Sequence, residues 1–327
     1  MIAGFVEPQL SPVLVEEAYR HMFSARIIEE TMIKMSKSGE GHFWIGGPGE
    51  ESFNVALGLN AKVGHGPKYD YFHLHYRSLA VAIAMGAKPI DSLRQMAMKA
   101  TDPYSGGRNF CNHICIKEKN ILPVTSTIET QFSSSIGTGI VQSRSVDNGI
   151  TVVIGGDAGT AEGDFASCLY WASNQSRPLP ILIIVTNNMY GISTPISDVW
   201  GEERPILNRA KGFGIPAVSC NGNDFWHSYD TISKAMEYVR TERKPFFIET
   251  VVSRLYGHSS SSGANRVEEE DCLEVMKRKM LEKKLAKAEL FDEIEEEIRA
   301  QVASDLDKVR KEPDPTSESA YHNLFAE

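Results

Sequence analysis

The chain has 327 residues, 42% hydrophobic and 24% charged, enough to bury a full core as one large α/β unit or two small ones. Its formal charge of −9 and pI near 5.6 argue against nucleic acid and membrane surfaces as partners, because both are polyanionic. There is no run of about 18 apolar residues and no basic, then apolar, leader at the N-terminus, so the expectation is a cytoplasmic protein.

Leu14 to Met35 carries apolar residues at three- and four-residue steps behind Ser11-Pro12, which predicts a long amphipathic helix. A glycine-rich loop, GEGHFWIGGPGEE, follows. Ser78 to Met98 is again helical in pattern, and Thr101 to Ile121 is irregular and polar around Gly106-Gly107-Arg108. A connection that long is often functional. Within it Cys111, His113 and Cys115 form C-x-H-x-C, but no second ligand pair at zinc spacing follows. The other cysteines, Cys168, Cys220 and Cys272, are scattered, as befits reduced thiols.

From Gly149 short apolar runs succeed one another with helices between them: ITVVIGG, Phe165 to Ser173, PILIIVTNN and later PFFIETVV. They predict a doubly wound parallel sheet. After Val267 the chain turns charged and helical to about Lys311, then ends in a proline-punctuated, aromatic tail. No repeat or linker divides it. The expected organisation is one α/β domain over 1–327, with helical arms at 1–40 and 267–327.

Asp157 directly follows one predicted strand and Asn188 the next, which puts both at the carboxyl edge of the sheet, where open α/β sheets bind ligands. Adjacent strand ends lie about 5 Å apart, so a carboxylate and an amide oxygen there can share Mg²⁺ with a diphosphate. Gly156 and Gly159 admit a close approach of phosphate, and the helix beginning near Glu162 to Asp164 offers N–H groups. GGDAGTAEG lacks the lysine of a P-loop and the spacing of a dinucleotide fingerprint. Taken singly, Asp157 and Asn188 are ordinary turn residues. Their placement 31 residues apart across one strand-helix-strand unit is what points to a site.

An acid in a glycine turn, about thirty residues, then Asn-Asn closing a strand resembles the thiamine-diphosphate motif of the E1 alpha subunits of 2-oxo acid dehydrogenases. AEGDF and NNMYGISTP resemble that family's neighbouring segments, as do Tyr76-Arg77, Gly107-Arg108 with His113, the NGND turn (Asn221 to Asp224) and Arg254 to Ser259. The resemblance implies a thiamine-diphosphate-binding fold. It implies Mg²⁺ held by Asp157, Asn188 and the Tyr190 carbonyl; diphosphate contacts from Tyr76, Arg77 and His258, with His258 also catalytic; further cofactor contacts at Ala158 and Gly159; and Ser126 and Ile128 at the aminopyrimidine, Ile128 as the apolar wedge. Three departures stand out: Ala158 for the usual glycine, Thr186 where several relatives have arginine, and His75 in a position often held by Gln or Ala.

The same resemblance implies oxidative decarboxylation of a 2-oxo acid with acyl transfer to the lipoyl group of an E2 acyltransferase. One diphosphate motif and no room for a second thiamine-binding domain imply a separate E1 beta subunit, in an α2β2 assembly, that brings the activating glutamate. Ser126 to Gln131 resembles the S-P-L-A-T-Q of branched-chain enzymes. With Phe43, and with His75 and Ile128 beside the substrate, it points to a branched-chain 2-oxo acid rather than pyruvate or acetoin. Matching also implies a K⁺ site at Thr125, Thr127, Thr130 and Gln131. A non-catalytic scaffold of the same fold is the alternative of another class; it would have no need of a magnesium diphosphate site. His258 and Ser259 to Ser262 form a serine-rich loop with the composition of a mobile segment.

Overall fold

Strand register governs where this molecule can do chemistry. The structure, a computed structural model, describes Phe5, residues 7–201 and residues 205–322. In chain order it contains α1 (Pro12–Ser38), α2 (Glu51–Leu59), β1 (Tyr71–His73), α3 (Leu79–Ala84), α4 (Pro89–Met96), α5 (Thr130–Arg144), β2 (Thr151–Gly156), α6 (Gly163–Ala172) and β3 (Ile181–Asn187). There follow the two-residue strands β4 (Tyr190–Gly191) and β5 (Thr194–Pro195), then α7 (Ile196–Trp200), α8 (Leu207–Gly212), β6 (Ala217–Asn221), α9 (Phe225–Glu242), β7 (Phe246–Val251), α10 (Cys272–Glu282) and α11 (Ala288–Val309). β1-β2-β3-β7-β6 form one sheet, with every neighbouring pair parallel.

Because successive side chains in a strand point to opposite faces, each apolar run feeds two cores. Val152, Ile154, Leu182, Ile184, Phe246 and Ile248 pack on one face, with the buried sides of α1, α2 and α9. Val153, Ile183, Val185 and Phe247 pack on the other, with Phe132 of α5 and Phe165 of α6. Both faces are covered, which is why these strands are continuously apolar instead of alternating.

The α1 helix begins where expected, with Ser11 Oγ accepting from the Leu14 N–H at 3.2 Å. Ser78 to Met98, read as one helix, is two. Gly86, at φ 87°, ends the first, and Pro89 at the first helical position starts the second, since proline cannot continue a helix but begins one well. Phe165 to Ser173 falls in the helix expected to begin near Glu162 to Asp164: Phe165, Cys168, Leu169 and Ala172 are its buried residues, a three-and-four spacing. The stretch after Val267 breaks at Lys284, a left-handed residue at φ 57°.

Three distant segments meet at one buried guanidinium. Arg26 of α1 donates to Glu51 of α2 at 2.6 and 3.0 Å and to Asp271, before α10, at 2.8 and 3.0 Å. Buried ion pairs hold only when every group is satisfied, and here each oxygen of both carboxylates accepts from Arg26. Among the described residues no helix is long and apolar enough to cross a membrane.

Candidate functional site

β2 and β3 run side by side with Gly156 paired to Thr186, so the residues just beyond, Asp157 and Asn188, emerge together at the carboxyl edge. A cavity of about 360 Å³ opens there. It is lined by His75, Tyr76, Arg77, Ile128, Gly156, Asp157, Ala158, Gly159, Glu162, Asn188, Tyr190 and His258, all anticipated, and also by Glu129, Gly191, Ile192, Thr194 and Val199. A larger cavity of about 750 Å³, with Arg144, Trp171, Arg177 and Arg243, lies at the amino ends of the strands. Open parallel sheets bind ligands at the other edge, and the acid-amide pair is there.

Asp157 is buried. Its Oδ1 accepts from the Ala158 N–H at 2.7 Å, while Oδ2 is buried with no hydrogen-bond partner. Burial raises its carboxyl above the ordinary value, opposed by that amide. An orphaned carboxylate oxygen is costly. Asn188 Oδ1 accepts from the Tyr190 N–H at 3.3 Å, which folds the chain back so that Tyr190 also lines the cavity.

Arg77 is the buried cation of the cavity wall. It donates to the Gly46 carbonyl in the glycine-rich loop, and its Nη2 donates to His258 Nδ1 at 2.9 Å and to the His258 carbonyl at 3.3 Å. Burial, then Arg77 and Arg254, press the His258 imidazole down to about 4. It is therefore neutral at neutral pH, and because Nδ1 accepts from Arg77 the proton sits on Nε2, making that nitrogen a donor. His75 is pushed well below its ordinary value by burial and then by Arg77. Its ring lies 3.8 Å from that of Tyr76, centre to centre, and the Arg77 guanidinium stands 5.2 Å over Tyr76.

The remaining anticipated residues lie outside the cavity lining. Ser126 pairs with His113 Nε2, whose Nδ1 contacts the Cys111 carbonyl at 3.0 Å. Phe43 packs against Phe110 at 5.4 Å, and Phe110 against His113 at 5.9 Å, so Phe43 and Ser126 belong to one adjoining cluster. The Cys111 thiol donates to the Phe43 carbonyl at 3.3 Å. Thr125 Oγ1 and Thr130 Oγ1 are 2.8 Å apart, and both hydroxyls donate to the Thr127 carbonyl. Gln131 instead donates to Glu129 and to the Ile154 carbonyl. The serine-rich loop forms a hydrogen-bonded 3₁₀ turn, Ser260–Ser262. Ser259 and Ser262 cap each other, and the Ser260 N–H donates to the Trp44 carbonyl at 2.8 Å.

Sequence reasoning missed Glu129. It is fully buried in the cavity wall, and burial pushes its carboxyl up to about 8. The available signal was an acid standing where the resembling segment has alanine.

The profile of the dehydrogenase E1 component family matches residues 19–318. A "2-oxoisovalerate dehydrogenase subunit alpha" of Bacillus subtilis is 30% identical over 95% of this chain and 94% of its own length. A "2-oxoisovalerate dehydrogenase subunit alpha 2, mitochondrial" of Arabidopsis thaliana is 27% identical over 79% of this chain but 53% of its own, and a Caenorhabditis elegans protein of the same alpha-subunit name is 24% identical over 94% and 70%. The chain thus spans nearly all of the Bacillus relative and about half of the Arabidopsis one. With a parallel sheet, an acid-amide pair at its carboxyl edge and this match over most of its length, the chain belongs to the dehydrogenase E1 component family, as an alpha-type member.

Proposed function

We propose that this chain is the alpha subunit of a branched-chain 2-oxo acid dehydrogenase, which with a beta subunit decarboxylates 3-methyl-2-oxobutanoate and its like and passes the acyl group to a lipoylated E2. The observation that carries the reading is the orphaned Asp157 Oδ2 beside Asn188, in the floor of a cavity whose turn contains Gly156 and Gly159. A hard cation with few protein oxygens suits such a donor set, with Mg²⁺ taking Asp157, Asn188 and the Tyr190 carbonyl and phosphate oxygens completing its shell. The residues present therefore fit magnesium thiamine diphosphate. Bound there, the cofactor supplies the electron sink for decarboxylation.

This chain's own residues bind and orient. Arg77 offers the diphosphate positive charge, already aimed by Gly46 and His258. Neutral His258 presents an Nε2–H donor, and it can give or take a proton there only once a bound substrate alters its surroundings. Ile128, 45% exposed before any partner covers it, supplies an apolar wall. Glu129 lines the same cavity, but both of its oxygens are engaged, by the Gly156 N–H and by Gln131. The activating acid at the cofactor's ring nitrogen is thus assigned to the beta subunit. The apolar mouth, Ile128, Met189, Tyr190, Ile192 and Val199, all more than a third exposed, is the surface that partner would cover. The Thr125 and Thr130 hydroxyls with the Thr127 carbonyl offer a K⁺ ion three oxygens.

Calorimetry of thiamine diphosphate with and without Mg²⁺ tests the cofactor reading; binding that ignores Mg²⁺ would overturn it. Turnover with a co-expressed beta subunit tests the substrate. A higher kcat/KM for pyruvate than for 3-methyl-2-oxobutanoate would end the branched-chain assignment, given that each methylene discriminates by about 1–3 kcal/mol.

A further inference from the structure

Ile128 and the turn at 155–159 lie on different elements, one just before α5 and the other just after β2. Among the described residues no backbone hydrogen bond joins 125–129 to 155–159. One side chain does. Glu129 Oε1 accepts from the Gly156 N–H at 3.0 Å, and its Oε2 accepts from Gln131 Nε2 at 3.1 Å; the same Gln131 nitrogen donates to the Ile154 carbonyl at 3.0 Å. The turn is shaped around this carboxyl: a Cβ on Gly159 would overlap Oε1, and one on Gly155 would overlap Oε2. Glu129 itself has left-handed backbone, φ 65°, uncommon for any residue but glycine and kept only where surroundings over-determine it. Those surroundings are the two hydrogen bonds of its own side chain.

We propose that Glu129 is a positioning residue, a strap that ties the apolar wedge at Ile128 to the glycine turn and so sets the separation between the two ends of the cofactor. The proposal rests on the reading of this cavity as a thiamine diphosphate site. A strap of this kind matters to a ligand that touches both ends and not to one that touches the turn alone. Magnesium pyrophosphate is such a ligand, and it separates positioning from general damage to the turn.

The experiment titrates the full-length chain with Mg²⁺–thiamine diphosphate and with Mg²⁺–pyrophosphate. Loss of a buried hydrogen bond is worth about tenfold in affinity. Glu129→Ala is expected to weaken thiamine diphosphate about tenfold and pyrophosphate less than about twofold. Glu129→Gln, which keeps an acceptor for Gly156, is expected to return to within about threefold of the parent for the cofactor. Gln131→Met loosens the strap from its other end, with an expected loss of about threefold for the cofactor alone, and it gives a reading should Glu129→Ala fail to fold. Unchanged cofactor affinity in Glu129→Ala or Gln131→Met overturns the strap, as does equal weakening of both ligands. A parent chain that binds pyrophosphate but not thiamine diphosphate overturns the cofactor reading instead.

Discussion

The floor and the rim of the cavity are built on different principles. The floor comes from register: once Thr151 to Gly156 pair in parallel with Ile181 to Thr186, Asp157 and Asn188 have nowhere else to go. The rim, from Met189 to Pro195, has only the two-residue pair β4 and β5. Met189 and Ile192 there hold left-handed backbone, φ 66° and 56°, and a β-branched residue in that region is a true outlier. Ile192 is also 59% exposed, its carbonyl held by Arg254 at 2.9 Å, whose guanidinium lies 4.9 Å over Tyr190. Backbone order thus places the acid-amide pair on its own, while the rim carries strained backbone and exposed apolar surface, which the proposed function gives to a partner to cover.

The sharpest way to break this contrast is to remove the partner. The isolated chain, saturated with cofactor and Mg²⁺, is expected to exchange the cofactor's C2 proton at least about 10²- to 10⁴-fold more slowly than the mixture with a beta subunit, the usual contribution of a general acid–base group. Equal rates would mean that this chain holds its own activating acid. Next comes the floor. Asp157→Ala or Asn188→Ala should weaken Mg²⁺-dependent cofactor binding by about 100-fold, as charge-assisted contacts do, with stability changed by about 1 kcal/mol or less. Calorimetry showing the parent affinity in both variants would remove the metal assignment. At the rim, Ile192→Asp should leave cofactor binding by the lone chain near normal and weaken association with the beta subunit about tenfold; analytical ultracentrifugation showing undiminished assembly would exclude this face.

The smallest effect is one of pH. Glu29 holds the glycine-rich loop by accepting from Trp44 Nε1 at 2.7 Å, the Gly47 N–H at 3.3 Å and Asn112 Nδ2 at 3.0 Å. Burial nonetheless pushes its carboxyl up to about 7. A raised carboxyl binds its proton more tightly folded than unfolded. Its contribution is therefore full below about pH 4.5, declines as pH rises and is gone above about 7. Relative to Glu29→Gln, the parent should lose on the order of 2 kcal/mol between pH 5 and 8. Parallel melting curves across that range would show that Glu29 is ionised throughout.

The contrast between floor and rim also marks how far sequence reading reached. Asp157 and Asn188 were legible because uninterrupted β-branched runs announce buried parallel strands, and a strand end has one position. β1, only Tyr71 to His73, and β6, Ala217 to Asn221, were not named as strands, being too short or too weakly apolar to stand out. Phe43 and Ser126 were carried over by resemblance, yet they pack with Phe110 and His113, and Glu129 passed unremarked. Side-chain partnerships between separate elements leave no local trace.

Arg26 illustrates such a partnership in time as well as space. Asp271, which completes its buried pairing, lies 245 residues further along the chain. At roughly 5–20 residues per second a ribosome needs on the order of 12–50 seconds to deliver it, and for that interval the guanidinium of α1 can pair with Glu51 alone. Until then the guanidinium in the middle of α1 has one of its two carboxylate partners and half of its hydrogen bonds. Leaving those donors unsatisfied disfavours premature burial of α1, so α1 and the start of α10 are expected to become ordered together.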